Sequence, residues 1–268
     1  MAYTYNFKVI ISGKQVEVYK YKKTILRDYE KKEEQQEIVQ KEPKQLDLFE
    51  QQELKKQKIQ SSINRTKTEI RRLVNSNPQL NKFMTLTFAK PTTDLKEANY
   101  IFNQFIKRIV YRYPNFKYLA VPEYQKDTDY WGRKKEQGGS VHYHLLCNLP
   151  FIEMDALEYL WGQGMVNIRE TSKVNNLGAY MSKYLGKELF SGRMFGKKKF
   201  FRSQALHKPI EMLGIVAERF AERYLSKLVP VFKKTFSSDW SGEVEYSAYS
   251  LKFVLVRKGF LRFSAVRI

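Results

Sequence analysis

The order of apolar runs between residues 83 and 189 leaves few folds open. Phe83-Met84-Thr85-Leu86-Thr87-Phe88 has strand length and the β-branched and aromatic content of a buried strand. Asp94 stands where a helix N-cap belongs. Behind it Ile101, Phe102, Phe105, Ile106, Ile109 and Val110 form a broad apolar stripe at helical spacing. Tyr118–Tyr124 reads as a second strand, 126–139 as a polar loop and Val141–Cys147 as a third strand, so these two strands read as an antiparallel pair. A short helix over 153–161, a short strand over 165–168 and a helix over 176–189 follow. The order β-α-β-β-α-β-α is that of an α+β fold with a ferredoxin-like antiparallel sheet and helices mainly on one face.

The flanks read differently. Residues 3–22 alternate around Ser12-Gly13-Lys14, which predicts an N-terminal hairpin. Residues 26–56 are crowded with Glu, Gln and Lys and contain Pro43, the composition of a solvated helix or linker. From there to about residue 74, Ile59, Ile63, Ile70 and Leu73 recur at helical spacing with Arg65, Lys67, Arg71 and Arg72 on the other faces. Asn75, Ser76, Asn77 and Pro78 should end that helix. Residues 212–236 read as helical and 244–267 as two further strands. The expected division is therefore an N-terminal hairpin and polar, basic helical segment over 1–75, a core over 76–206, and a C-terminal helix with a β-rich extension over 207–268.

Lys and Arg number 48 against 28 Asp and Glu, a formal net charge of +20. A surplus of that size points to a polyanionic partner, because each phosphate neutralised releases counterions. No apolar run approaches the roughly 20 residues that span a bilayer, and no signal-peptide pattern opens the chain, so the expectation is a cytoplasmic protein with no membrane partner. The single cysteine, Cys147, excludes an internal disulfide and reads as a small core residue. Residues 193–202 interleave Arg193, Lys197, Lys198, Lys199 and Arg202 with Phe195, Phe200 and Phe201. Such basic groups can track a phosphate backbone while rings stack on unpaired bases; equally, the rings can tuck into the core.

Two of the three histidines, His142 and His144, lie two apart in the third strand, so both imidazoles leave one face and can share a metal ion. A further ligand is needed. Glu123 near the end of the neighbouring strand is the candidate, and Gln125 could add a ligand or orient one. A carboxylate with two imidazoles suits Mn²⁺ or Mg²⁺ with positions left open for a phosphate oxygen. Read singly, the histidine pair also fits a structural or zinc-binding pair, and Glu123 a solvated strand-end carboxylate. Tyr180 and Tyr184 lie four apart in a helical pattern and so share a face. A tyrosine with the usual pKa of about 10 is a poor nucleophile at neutral pH. Lys183 and Lys187 each follow a tyrosine by three positions, where an ammonium can stabilise a phenolate or the charge developing on a phosphate. The competing reading of this stretch is an ordinary amphipathic helix with packed tyrosines and solvated lysines.

Taken in order, the Thr85-Leu86-Thr87 strand, the His142-Tyr143-His144 strand and the helix Tyr180-Met-Ser-Lys-Tyr184-Leu-Gly-Lys187 resemble the three motifs of the HUH endonuclease superfamily. The last is similar to the two-tyrosine helix of rolling-circle replication initiators of small phages and related plasmid Rep proteins. The resemblance covers about residues 60–206. It implies a tyrosine that attacks one DNA strand at an origin, giving a 5′-phosphotyrosine link and a free 3′-hydroxyl, with a divalent ion held by His142, His144 and Glu123. It also implies a second tyrosine that cleaves the regenerated origin and releases a circular single strand. Tyr143 replaces the aliphatic residue usual between the histidines, and the loop 126–139 is longer than the family's compact spacing. A two-tyrosine transposase keeps the same motif order, and a non-catalytic single-stranded DNA-binding protein is the alternative from another class. No phosphate-binding Gly-x-x-x-x-Gly-Lys-Ser/Thr loop is present, since Gly192 to Lys198 fails on spacing and on the final hydroxyl. A host helicase and a single-strand binding protein are therefore expected partners.

Overall fold

The computed structural model describes residues 3–27, 47–128, 131–136, 138–171, 174, 177–184, 197–238, 241–251, 253–257 and 260–264. Its elements are β1 (Tyr3–Ser12), β2 (Gln15–Arg27), α1 (Leu48–Asn75), β3 (Lys82–Thr87), α2 (Leu95–Arg112), β4 (Tyr118–Tyr124), β5 (Val141–Cys147), α3 (Met154–Trp161), β6 (Val166–Glu170), α4 (Leu177–Tyr184), β7 (Phe201–Arg202), β8 (Ile210–Leu213), α5 (Gly214–Leu225), β9 (Phe232–Ser238), β10 (Gly242–Ser250), β11 (Phe253–Arg257) and β12 (Phe260–Ser264). They fall into two compact units, Glu53–His207 and a second made of Met1–Gln52 with Lys208–Ile268.

In the unit Glu53–His207 an antiparallel sheet has the order β6-β3-β5-β4-β7. Its first four strands realise the ferredoxin-like arrangement, in which the fourth strand of the β-α-β-β-α-β run flanks the first and the third separates the first from the second. The short strand β7 adds to the free edge of β4, pairing Phe201 with Ala120 and Arg202 with Leu119. Side chains alternate across this sheet. One face presents Met84, Leu86, Tyr143, Leu145 and Ala120 to α2 and α3. There the Tyr143 ring stacks on Phe102 at 4.3 Å and 10°, Phe105 meets Trp161 edge-on, and Phe201 lies against Phe102. Helix α2 begins because the Asp94 carboxylate accepts from the Lys96 N–H at 2.8 Å. Arg108 donates to the carbonyls of Leu160 and Trp161 and so satisfies the end of α3.

The opposite face is not bare, contrary to the expectation of helices mainly on one side. The Tyr180 ring of α4 meets Phe83 of β3 edge-on, and α4 lies against α1. The fit is close: a Cβ on Gly178 would stand 2.7 Å from the Arg71 carbonyl oxygen, so only glycine lets the two helices approach this far. Along α1, Ile63, Ile70, Leu73 and Val74 are buried in the same core. The helix ends where the Asn/Ser/Pro cluster predicts. Asn77, fully buried, donates to the carbonyls of Leu73 and His207 and accepts from the His207 N–H, which closes α1 and pins the chain after β7. Cys147 is fully buried and burial pushes its thiol up to about 11.

The other unit has an antiparallel sheet of order β8-β1-β2-β10-β9, with α5 on the face bearing Val9, Ile11, Val16 and Val18. The N-terminal hairpin turns at Gly13 and Lys14, with Ser12 opposite Gln15. Strand β10 pairs with β2, so the N-terminal hairpin and the C-terminal strands share one sheet. Two readings of this region are corrected. The helix covers only part of 212–236, because Pro230, which lacks an N–H, follows its end, and Phe232–Ser238 pairs with β10 as a strand. The stretch 244–267 holds three strands, the end of β10 and the β11–β12 hairpin.

Candidate metal centre

The centre is built by strand register. Glu123 of β4 pairs with His142 of β5, and on the other side of β5 His144 pairs with Thr85 of β3 and His142 with Thr87. Cross-strand partners share a face, so one patch collects Glu123, His142, His144, Thr85 and Thr87. Loop length does not matter here: although 126–139 separates Glu123 from the histidines in sequence, the ladder sets them side by side.

Glu123 Oε2 lies 2.7 Å from His144 Nε2 and 3.1 Å from His142 Nε2. The candidate ligand atoms of these three residues lie within 4.8 Å of one another, and they could hold a metal ion. Their side chains keep 15%, 16% and 9% of their surface for Glu123, His142 and His144, so an ion can enter while most water is excluded. Burial alone would raise the Glu123 carboxyl, but hydrogen bonds and charge from both imidazoles outweigh it and hold the group down to about 2. Burial pushes His144 below the usual histidine value and the neighbouring His142 adds to this, while Glu123 opposes it. At neutral pH the donor set is therefore a carboxylate and, at His144, a neutral imidazole, the forms a cation requires.

Residues that sequence reasoning did not single out orient these groups. Thr85 Oγ1 lies 3.1 Å from His144 Nδ1, which fixes the ring with Nε2 toward Glu123. Phe83 stacks on the His144 imidazole at 5.5 Å and meets Tyr180 at 5.4 Å, linking centre and helix. Arg169 of β6 donates to the Tyr180 hydroxyl, its guanidinium over the Phe83 and Tyr180 rings. The signal available in sequence was alternation: Phe83, Thr85 and Arg169 occupy the same face as the histidines once strand order is known.

Of the remaining candidates, Tyr184 and Lys183 lie on α4, but their side chains fall outside the described residues, as do Lys187 and Arg193 entirely. Lys197 and Lys198 are exposed, and the Lys198 ammonium stands 4.4 Å from the Phe201 ring centroid. Lys199 bonds to Ser62 of α1, and by register Arg202 is on the face of the centre. Phe200 and Phe201 pack into the core, the second of the two readings of that segment. For Gln125 the defined contact is its N–H to the Ser140 carbonyl. Among the described residues no helix is long and apolar enough to cross a membrane.

An α+β unit with a Glu/His/His cluster on an antiparallel sheet resembles the HUH class. Residues 81–189 match the family model for replication-associated proteins of the ORF2 type, a stretch that holds all three cluster residues and Tyr180. The match and the cluster together fit a rolling-circle Rep protein. No curated protein and no solved structure gives a significant match to the chain.

Proposed function

We propose that this chain is a rolling-circle replication initiator of the cytoplasm that nicks one DNA strand at an origin and later rejoins it. The observation that carries the reading is the convergence of both imidazole Nε2 atoms on Glu123 Oε2, on the sheet face where Phe83 bridges to Tyr180.

Glu123, His142 and His144 would hold a Mn²⁺ or Mg²⁺ ion, which when bound polarises the scissile phosphate. The chain's own groups do the rest. A tyrosine oxygen of α4 attacks phosphorus, the P–O3′ bond breaks, and the departing 3′-oxygen takes up a proton to become a free 3′-hydroxyl. The 5′-phosphate remains esterified to the tyrosine, and reversal of the step rejoins the strand. Arg169 stands beside the Tyr180 oxygen, where its guanidinium offsets charge on that atom as its proton leaves. Lys183 and Lys187 supply further positive charge along the helix. Tyr184 serves the second cleavage, and Arg193, Lys197, Lys198, Lys199 and Arg202 follow the phosphate backbone. Strand separation and protection come from a host helicase and a single-strand binding protein.

The test is a denaturing gel for a covalent protein–DNA adduct on a degenerate single-stranded pool with Mn²⁺. The adduct should vanish with chelator, with His142→Ala and with the Tyr180→Phe/Tyr184→Phe double variant. Tight binding without any adduct, repeated on DNA from the native genetic neighbourhood, would establish a non-catalytic strand-binding protein instead. Adduct formation confined to the ends of the encoding element would mark a two-tyrosine transposase.

A further inference from the structure

The segment joining β4 to β5 is a built tongue. Past Tyr124, the Gln125 N–H donates to the Ser140 carbonyl at 2.8 Å, the Lys135 N–H to the Asp127 carbonyl at 2.7 Å, and Thr128 bridges antiparallel to Lys134. The Asp127 carboxylate accepts from the Gly139 N–H at 2.7 Å. A Cβ on Gly139 would fall 1.7 Å from the Gln125 carbonyl oxygen, so the two limbs touch backbone to backbone. Toward its tip stands Trp131, 75% exposed, with the Arg133 guanidinium 5.0 Å from its ring centroid. Lys126, Lys134 and Lys135 flank it.

An indole this exposed, on an ordered support, is unusual for a surface with no ligand. Its position narrows the choice of ligand, because the tongue's two limbs are direct continuations of the strands holding Glu123 and His142. A strand with its phosphate at that centre has its neighbouring bases beside the tongue. Bases offer flat π-faces to an indole, and flanking cations suit the phosphates between them. We infer that Trp131, braced by Arg133, is a stacking platform for an unpaired base of the DNA strand whose phosphate meets the Glu123–His142–His144 centre. The inference rests on the nicking reading and adds to it a grip on the strand that tolerates any base.

The test is binding of the full chain to a fluorescein-labelled 20-mer oligothymidylate in the presence of chelator, across a series of salt concentrations. Trp131→Ala should weaken binding by roughly five- to a hundredfold, the range of one lost base stack. The slope of log affinity against log salt should stay as in wild type, because no phosphate contact is removed. Trp131→Phe should restore most of the affinity while abolishing the quenching of tryptophan emission on binding. Wild-type affinity in Trp131→Ala, or no binding of oligothymidylate by the wild type, overturns the platform. The covalent-adduct assay separates the two ideas. An adduct with an unweakened Trp131→Ala variant removes the platform and leaves nicking, whereas weakened binding with no adduct from the wild type supports the platform and removes nicking.

Discussion

His142 and His144 differ from Tyr143 between them in everything except strand. The histidines face a patch of threonine hydroxyls, a carboxylate and a guanidinium, and they retain solvent contact. Tyr143 faces α2, is fully buried on Phe102, and donates its hydroxyl to Asn99 Oδ1 at 2.8 Å. Burial drives its phenol far up, so it stays neutral and structural. The departure from the usual aliphatic residue thus has a packing explanation and no bearing on the metal face. One strand divides its labour by parity, and each face can be damaged separately.

The sharpest contrast comes from paired variants. His144→Ala should cut adduct formation by about a thousandfold or more, several kcal/mol of transition-state stabilisation, and abolish Mn²⁺ binding in calorimetry while the melting temperature barely moves. Tyr143→Ala should do the reverse, destabilising by about 3–5 kcal/mol through the cavity and the stranded Asn99, with Mn²⁺ affinity kept in the folded fraction. If both variants fail in both assays, the faces are not independent. A smaller effect is expected at Thr85, which touches a ligand but is not one. Thr85→Val should weaken Mn²⁺ binding by about 10–100-fold without loss of fold, and unchanged affinity would mean that the Nδ1 contact orients nothing.

The smallest effect is on pH. The folded-state value of His144 lies below its unfolded value near 6.5, so its contribution is complete above about pH 6.5. It declines as pH falls from there toward the lowered folded value. Glu123, held to about 2, contributes fully above its unfolded value near 4.5 and loses that contribution only in stronger acid. The metal-free protein should therefore melt lower at pH 5.5 than at pH 7, and His144→Gln should flatten that decline. Parallel curves for the two proteins would assign it elsewhere.

Much of this was legible in the chain because it is local. Phe83–Phe88, Tyr118–Tyr124 and Val141–Cys147 carry strand composition, Asp94 carries a cap, and alternation alone sends His142 and His144 to one side. Glu123 was harder, because the long loop argued for distance while the hairpin ladder, absent from any local pattern, sets it opposite His142. Thr85 and Arg169 were invisible as site neighbours because they arrive from strands distant in sequence, and only strand order places them. Gly178 gave no signal either, since a glycine in a helix looks like a weakness until the helix behind it is known. The C-terminal strands were blurred because Phe232–Ser238 is exposed along its whole length and shows no alternation of burial.

Cys147 has a practical consequence. The sole thiol of the chain is sealed in the core and held protonated at physiological pH, which makes it inert to maleimides in the native protein. A cysteine introduced at an exposed position would then be the only one to react. A single dye or spin label could report on the protein with no background from the native sequence and no need to remove a residue from the sheet.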